Sequence, residues 1–269
     1  MSSSNVDAIL PFNKLNNAIS KSDLDSLLLP YGHDGVINDI NLFRKAFVHR
    51  SYVTRKNESF MAGNVNCPID CLPLQSESLE RLEFLGDSVL GVIIARYMIE
   101  RFPNENEGFL SQMRVKLVNG IMLAHLASLL DLGRFVIISK QIEENEGRAS
   151  KRILEDTFEA FLGAIFLDSG SSLEKPTIWL IGLIEQNIDF SDLIVANNNF
   201  KDRMLKHYQQ TFGFMPRFYD QSCEKKGLVK NYTICAKDKN DVIIGKGTGL
   251  TKKLAENDCS KNILDSIGI

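Results

Sequence analysis

Cysteine is sparse in this chain and poorly placed for cross-linking. Cys67, Cys71, Cys223, Cys235 and Cys259 are odd in number and scattered, which argues against a disulfide framework and fits a reducing compartment. Cys67 and Cys71 lie close enough to form half of a zinc site, but no second ligand pair is evident nearby, so they read as ordinary free thiols. Long apolar runs are missing as well: none approaches the roughly 20 residues that a membrane helix needs. Met1 to Asn5 lack the basic and apolar regions of a signal peptide. The protein is therefore expected to be intracellular and not secreted, with cytoplasm and nucleus both compatible. Histidine is scarce, and no Ser-His-Asp or Cys-His arrangement can be picked out. His49, His125 and the other two read as structural or surface groups, and nothing points to a covalent nucleophile.

What is present divides the chain in two. The formal charge of −3 combines 18 basic against 26 acidic residues over 1–198 with 13 against 8 from Asn199 onward. A polyanion would be drawn to the C-terminal part, whereas the acidic part would need metal or local basic patches to approach a phosphate backbone. Hydrophobic periodicity changes at the same place. It is helical from about Leu15 to Ile188, most clearly over Leu42–Val53, Leu79–Glu100, Leu110–Leu132, Ser150–Leu167 and Leu173–Ile188. Asn197-Asn198-Asn199 reads as the end of a linker. A helix (Phe200–Thr211), three alternating segments (Arg217–Cys223, Tyr232–Ala236, Val242–Lys246) and a closing helix from about Thr251 to Ile267 follow. The expectation is a tail over 1–14, an all-α domain over 15–189, a linker over 190–199 and a small α+β domain of order α-β-β-β-α over 200–269.

The run from Ser78 to Leu90 sets three carboxylates in an otherwise apolar helical segment. At about 100° per residue, Glu80, Glu83 and Asp87 share one side of that helix. Leu79, Leu82, Leu85, Val89 and Leu90 surround the stripe, so the acids should lie at or near buried ground, where unpaired carboxylates are costly. Cationic partners, protonation or divalent metal are the usual remedies, and the single Arg81 cannot neutralise three acids. A second helical segment, Ile153 to Phe166, carries Asp156 and Glu159 three residues apart on one side. Taken alone, the second segment reads equally well as the solvated face of an amphipathic helix. Two apolar helices that both carry acids on one face suit an oxygen-ligand site for a hard cation such as Mg²⁺, bound by carboxylates, water and often substrate phosphates.

Residues 78–90 and 153–168 resemble, almost residue for residue and in the right order, the two signature segments of the ribonuclease III family. Those read approximately N-E-R-L-E-F-L-G-D-S-V-L and D-T-x-E-A-x-x-G-A-x-x-L-D. Ala46 to Tyr52 is similar to the family's A-F-x-H-R-S-Y, and Glu107 to Ser111 to its E-G-x-L-S. The resemblance implies an all-α nuclease domain in which Glu83, Asp87, Asp156 and Glu159 ligate metal. Glu80 and Glu107 complete the acidic cluster, and Asp87, Glu159, Glu80 and Glu107 carry the catalytic assignment. It implies Mg²⁺, replaceable by Mn²⁺, in two-metal hydrolysis of double-stranded RNA that leaves 5′-phosphate and 3′-hydroxyl ends, in RNA processing or in RNA silencing and its suppression. Each signature occurs once, and cutting both strands takes two centres, so a homodimer is implied. Phe84 is the candidate at its seam, with a plain core phenylalanine as the equal alternative. The family usually has a short connection between Tyr52 and Ser78. Here residues 54–77 read as an inserted loop that leaves the fold intact.

The C-terminal order α-β-β-β-α with net positive charge resembles a double-stranded-RNA-binding domain, and Gly245 to Glu256 is similar to that family's G-x-G-x-S-K-K-x-A-E. Glycines should end the third strand tightly, Thr251 can cap the last helix, and Lys252 and Lys253 would project from its N-terminus toward phosphate. The RNA-binding candidates are Lys246, Thr251, Lys252 and Lys253, with Lys206 and His207 of the preceding helix and Lys230 between the first two strands. Such modules read A-form shape through phosphates and 2′-hydroxyls. The usual G-P-x-H of the first interstrand loop is replaced by Lys226-Gly227-Leu228-Val229-Lys230, without histidine, which shifts the expectation toward phosphate attraction. The competing reading is a catalytically inactive protein that binds double-stranded RNA or builds a ribonucleoprotein. Such relatives typically lose acidic ligands, and none is missing here.

Overall fold

The computed structural model describes residues 11–54, 67–195, 200–226 and 229–268. The chain divides into two compact units, Met1–Asp189 and Phe190–Ile269. The first is helical: α1 (Lys21–Leu28), α2 (Ile40–Ala46), α3 (Glu80–Arg101), α4 (Glu107–Val118), α5 (Gly120–Leu129), α6 (Lys140–Glu144), α7 (Lys151–Asp168) and α8 (Glu174–Asn187). No helix among the described residues is long and apolar enough to cross a membrane.

Two expected helices are interrupted, one where the backbone turns into a bridge with a distant segment and one at a polar side chain that takes over backbone hydrogen bonding. The segment expected as Leu42–Val53 ends at Ala46. Val48 then bridges Ile137, and the His49 ring caps a short 3₁₀ turn, Arg50–Tyr52, by accepting from Ser51 N. The segment expected as Leu110–Leu132 breaks at Asn119, which is extended (φ −77, ψ 154) and serves both neighbours. Its amide donates to the carbonyls of Val115 and Lys116 that close α4, and its oxygen accepts from Met122 N to open α5. Within the inserted segment, residues 55–66 lie outside the described residues. Its later part is tied down: Tyr52 Oη donates to the Leu72 carbonyl at 2.8 Å, and Leu72 and Leu74 pack on Val48, Tyr52 and Ile137.

α7 runs through the core. Phe161 packs against Phe43, Phe47 and Trp179 with ring centroids 5.7, 5.7 and 5.4 Å apart, contacts worth about 0.5–1.5 kcal/mol each beyond area burial. Trp179 Nε1 donates to the Leu27 carbonyl at 3.0 Å and fastens α8 to α1. The closest approach is that of α3 to α7. A Cβ added to Gly86 would stand 1.8 Å from the Glu159 carbonyl oxygen, and one added to Gly163 would stand 2.4 Å from that of Leu82. Each helix therefore meets the other's bare backbone at a glycine.

In the second unit, Phe190–Val195, within the stretch expected as a linker, forms a short helix, α9. Residues 196–199 of that stretch lie outside the described residues. There follow α10 (Phe200–Phe212), β1 (Arg217–Lys226), β2 (Val229–Lys237), β3 (Ile243–Gly249) and α11 (Lys252–Ser266), with an antiparallel sheet of order β1-β2-β3. The α-β-β-β-α order matches the expectation, but the strands are longer. Lys226 pairs with Val229 and Lys225 with Lys230, so Lys230 belongs to β2 and not to a loop. The β3 glycines do not end the strand after Lys246 as expected; β3 runs through them to Gly249, and they admit α11. Cβ atoms on Gly245, Gly247 and Gly249 would lie 2.2, 2.0 and 2.6 Å from atoms of Ile263, Cys259 and Ala255. At the two-residue period of a strand, Lys246 and Thr248 then face outward and are exposed.

Alanine for glycine inside an exposed helix normally gains up to about 1 kcal/mol. Gly163→Ala should do the reverse, lowering stability in urea titration by about 3 kcal/mol because a backbone carbonyl cannot step aside as a side chain can. An unchanged or higher stability would contradict this account of the α3–α7 contact.

Candidate active site and nucleic-acid interface

The glycine contact places the acid-bearing stretches of α3 and α7 side by side. Glu83, Asp156 and Glu159 are half-buried and line one cavity of about 720 Å³. None of the three has a side-chain hydrogen bond or ion pair among the described residues. Burial, reinforced by neighbouring carboxylates, raises the pKa of all three. Glu159 is pushed up to about 8, first by burial and then by the charges of Asp87, Glu155, Glu83 and Asp156. Glu83 is raised by burial and by Asp156 and Glu80. Asp156 is raised mainly by burial, which outweighs the opposing influence of Arg152 and Arg50.

The remaining predicted acids are placed differently. Asp87 is exposed, one turn beyond Glu83, and acts on the group through its charge on Glu159. Glu80 is also exposed; its carboxylate accepts from Ser78 Oγ at 2.9 Å and lies 3.9 Å from Arg50 Nη1. Glu107 opens α4, accepts from Ser111 Oγ at 2.7 Å, and does not line the cavity. Among the described residues, no three His, Cys, Asp or Glu side chains are gathered closely enough to hold a metal ion as they stand. The donor chemistry nevertheless fits a hard divalent cation: the acids facing the cavity are all carboxylates, crowded until one retains its proton near neutrality, and lacking a bonded cation.

Several residues of the site were not singled out from the sequence. Glu155, one residue before Asp156, lines the same cavity, and its carboxylate presses on Gly120, where an added Cβ would meet Oε2 at 2.3 Å. Burial and Asp156 raise its pKa as well. Arg152 precedes Glu155 and Asp156 by three and four residues, the helical spacing that brings it beside both. That spacing is the signal that was available.

On the second unit, Lys206, Lys246, Lys252 and Lys253 are exposed. Lys252 Nζ pairs with the carboxylate of Asp220 on β1. Thr251 is the N-cap of α11, its hydroxyl accepting from Leu254 N at 3.2 Å. His207 is half-buried, its ring 6.1 Å from those of Tyr208 and Phe212. Of the predicted group, Lys230 is described only by its place in β2.

Phe84 is 80 % exposed, which removes the alternative of a core phenylalanine in the protomer.

Comparison with known proteins agrees with this division. Residues 80–170 match the Ribonuclease III domain and residues 201–267 the Double-stranded RNA binding motif. The chain is 36 % identical over 190 residues to a Ribonuclease 3 of Aliarcobacter butzleri, covering 70 % of this chain and 83 % of that protein. It is 32 % identical over 254 residues to a Probable ribonuclease 3 of Acanthamoeba polyphaga mimivirus, spanning 94 % of this chain but only about half, 46 %, of that relative. The solved nuclease domain of a ribonuclease III from Campylobacter jejuni superposes with a TM-score of 0.50 at 32 % identity, covering 63 % of this chain and 99 % of that domain. The chain thus belongs to the ribonuclease III family of enzymes, with a helical nuclease domain followed by a double-stranded RNA binding motif.

Proposed function

We propose that the protein is an intracellular, Mg²⁺-dependent endoribonuclease that hydrolyses both strands of double-stranded RNA as a homodimer. The observation that carries this reading is the group of half-buried, mutually repelling carboxylates in one cavity, without bonded cations. Glu83, Asp87, Asp156 and Glu159 are the proposed metal holders, and Glu80 and Glu107 the supporting acids. Two bound Mg²⁺ ions, replaceable by Mn²⁺, would supply a water nucleophile near neutral pH and charge stabilisation at the leaving 3′-oxygen, giving 5′-phosphate and 3′-hydroxyl ends. The chain's own contribution is to keep these acids together in a partly water-excluded cleft, while the second unit holds A-form RNA through exposed lysines.

Glu159→Gln should lower cleavage of long duplex RNA in Mg²⁺ by at least 100-fold while RNA binding in a gel shift changes less than threefold. If wild type and variant both bind and neither shortens the RNA, the nuclease reading fails and the binding-only alternative stands. The same substitution should stabilise the metal-free fold. The folded Glu159 carboxyl sits near 8 against an ordinary 4.5, so its contribution to stability is present below pH 4.5 and is lost as pH rises toward 8. Allowing for its substantial solvent contact, the gain in Glu159→Gln at pH 8 should be about 1 kcal/mol, vanishing near pH 4, in thermal or urea unfolding.

Phe84→Glu should convert the dimer to a monomer in analytical ultracentrifugation and reduce double-strand cutting at least tenfold without lowering the stability of the protomer, since the ring is exposed. A variant that stays dimeric removes Phe84 from the proposed seam.

Replacing Lys252 and Lys253 together by alanine should weaken duplex binding at least tenfold. It should also reduce the slope of log affinity against log salt by about 2, at roughly 0.9 per phosphate contact. A shallow slope in the wild type would overturn the proposed dominance of phosphate attraction.

A further inference from the structure

An acidic cleft that must take up a polyanion poses an electrostatic problem that bound metal at the scissile linkage solves only locally. The phosphates on either side of that linkage still face the carboxylates. Beside the main cavity lies a second one of about 370 Å³, whose lining includes Arg50, Arg152, His49 and Ser150 and which shares Glu83, Arg152 and Asp156 with the first. Arg152 thus stands on the wall common to both. It is exposed and, among the described residues, has no hydrogen bond or ion pair, although two carboxylates follow it at helical spacing. Arg50, reaching in from the 3₁₀ turn after α2, is 64 % exposed at its side chain and has only the loose 3.9 Å approach to Glu80.

A guanidinium that leaves neighbouring carboxylates unbonded keeps its planar fork of donors available, and that fork matches a phosphate bidentately. The ring of His49 is already engaged with Ser51, and burial lowers its pKa, so it adds a neutral wall, not a third cation. We propose that Arg152, supported by Arg50, forms a phosphate subsite in this second cavity that grips the RNA strand at a linkage flanking the one that is cut. The proposal rests on the nuclease reading above for the identity of the strand. Arg152 is then a substrate-binding residue with a second effect. Its guanidinium stands on the wall it shares with Glu83 and Asp156, so its positive charge repels a divalent cation held there. The same charge must therefore weaken divalent-cation binding at the cluster.

These two roles predict opposite signs, which a merely structural arginine would not produce. Duplex RNA binding is measured on full-length protein carrying Glu159→Gln, so that no cleavage intervenes, over a range of salt concentrations. Adding Arg152→Ala should weaken binding about five- to tenfold and reduce the slope of log affinity against log salt by about 1 for each nuclease domain engaged. Arg152→Lys, which keeps the charge and loses the fork, should retain most of the slope. Without RNA, Mn²⁺ binding followed by isothermal titration calorimetry should be two- to threefold tighter in Arg152→Ala than with Arg152 present. An unchanged salt slope would overturn the subsite, and so would Mn²⁺ binding weakened in parallel with RNA binding. Thermal unfolding of each variant separates misfolding from loss of contact. Wild-type protein that binds RNA without cutting it would overturn the nuclease reading and leave the slope test standing, whereas cutting with an unchanged slope would overturn only the subsite.

Discussion

The crossing of α3 and α7 at Gly86 and Gly163 is the constraint on which the rest of the first unit depends. Each glycine faces a carbonyl oxygen of the other helix at a distance no Cβ could occupy. Two helices pressed together at bare backbone bring their flanking side chains into one another's range, and those include Glu83 and Asp87 on one and Asp156 and Glu159 on the other. The buried aromatic cluster around Phe161 and Trp179 holds α7 from its far side. Apolar packing on one face thus keeps repelling charges together on the other. Burial and the neighbouring charges answer by raising the Glu159 carboxyl to about 8.

That arrangement gives the cleft its chemistry and also its electrostatic difficulty. Crowded acids without bonded cations have an oxygen-donor preference for hard divalent ions, and the same charge repels the RNA backbone. Arg50 and Arg152 line the edge of the cleft, and among the described residues neither closes a tight ion pair with the acids. The second unit uses the absence of side chains in a related way. Three alternate glycines of β3 let α11 lie close on the strand, and the residues between them, Lys246 and Thr248, are turned outward. In both units a close backbone contact decides which polar side chains are presented.

Much of this was legible in the residues. The switch from helical to alternating periodicity near residue 199 marks the change from the helical unit to the α-β-β-β-α unit, and the acid-bearing runs fall on α3 and α7 as expected. Other features were not, for identifiable reasons. Asn119 sits inside an unbroken apolar periodicity, which hides that its side chain caps two helices at once. The end of α2 is set by a bridge from Val48 to Ile137, a partner far away in the chain. The β3 glycines suggested an early end to the strand because the helix that needs their missing side chains begins only after them.

Taken alone, the sequence determined the residue types and their local spacing: which helices are amphipathic, that six acids recur in the pattern of the ribonuclease III family, and that the basic residues gather at the C-terminal end. The first is a property of the 3.6-residue period, the second of a resemblance and the third of composition, all readable without knowing what lies opposite. Only the tertiary structure decided which acids share a cavity. It separated Glu83, Asp156 and Glu159 from Glu107, added Glu155, and exposed Phe84. Cavity walls, burial and charge coupling arise between elements distant in sequence, and here they are set by how closely two glycines allow two helices to approach.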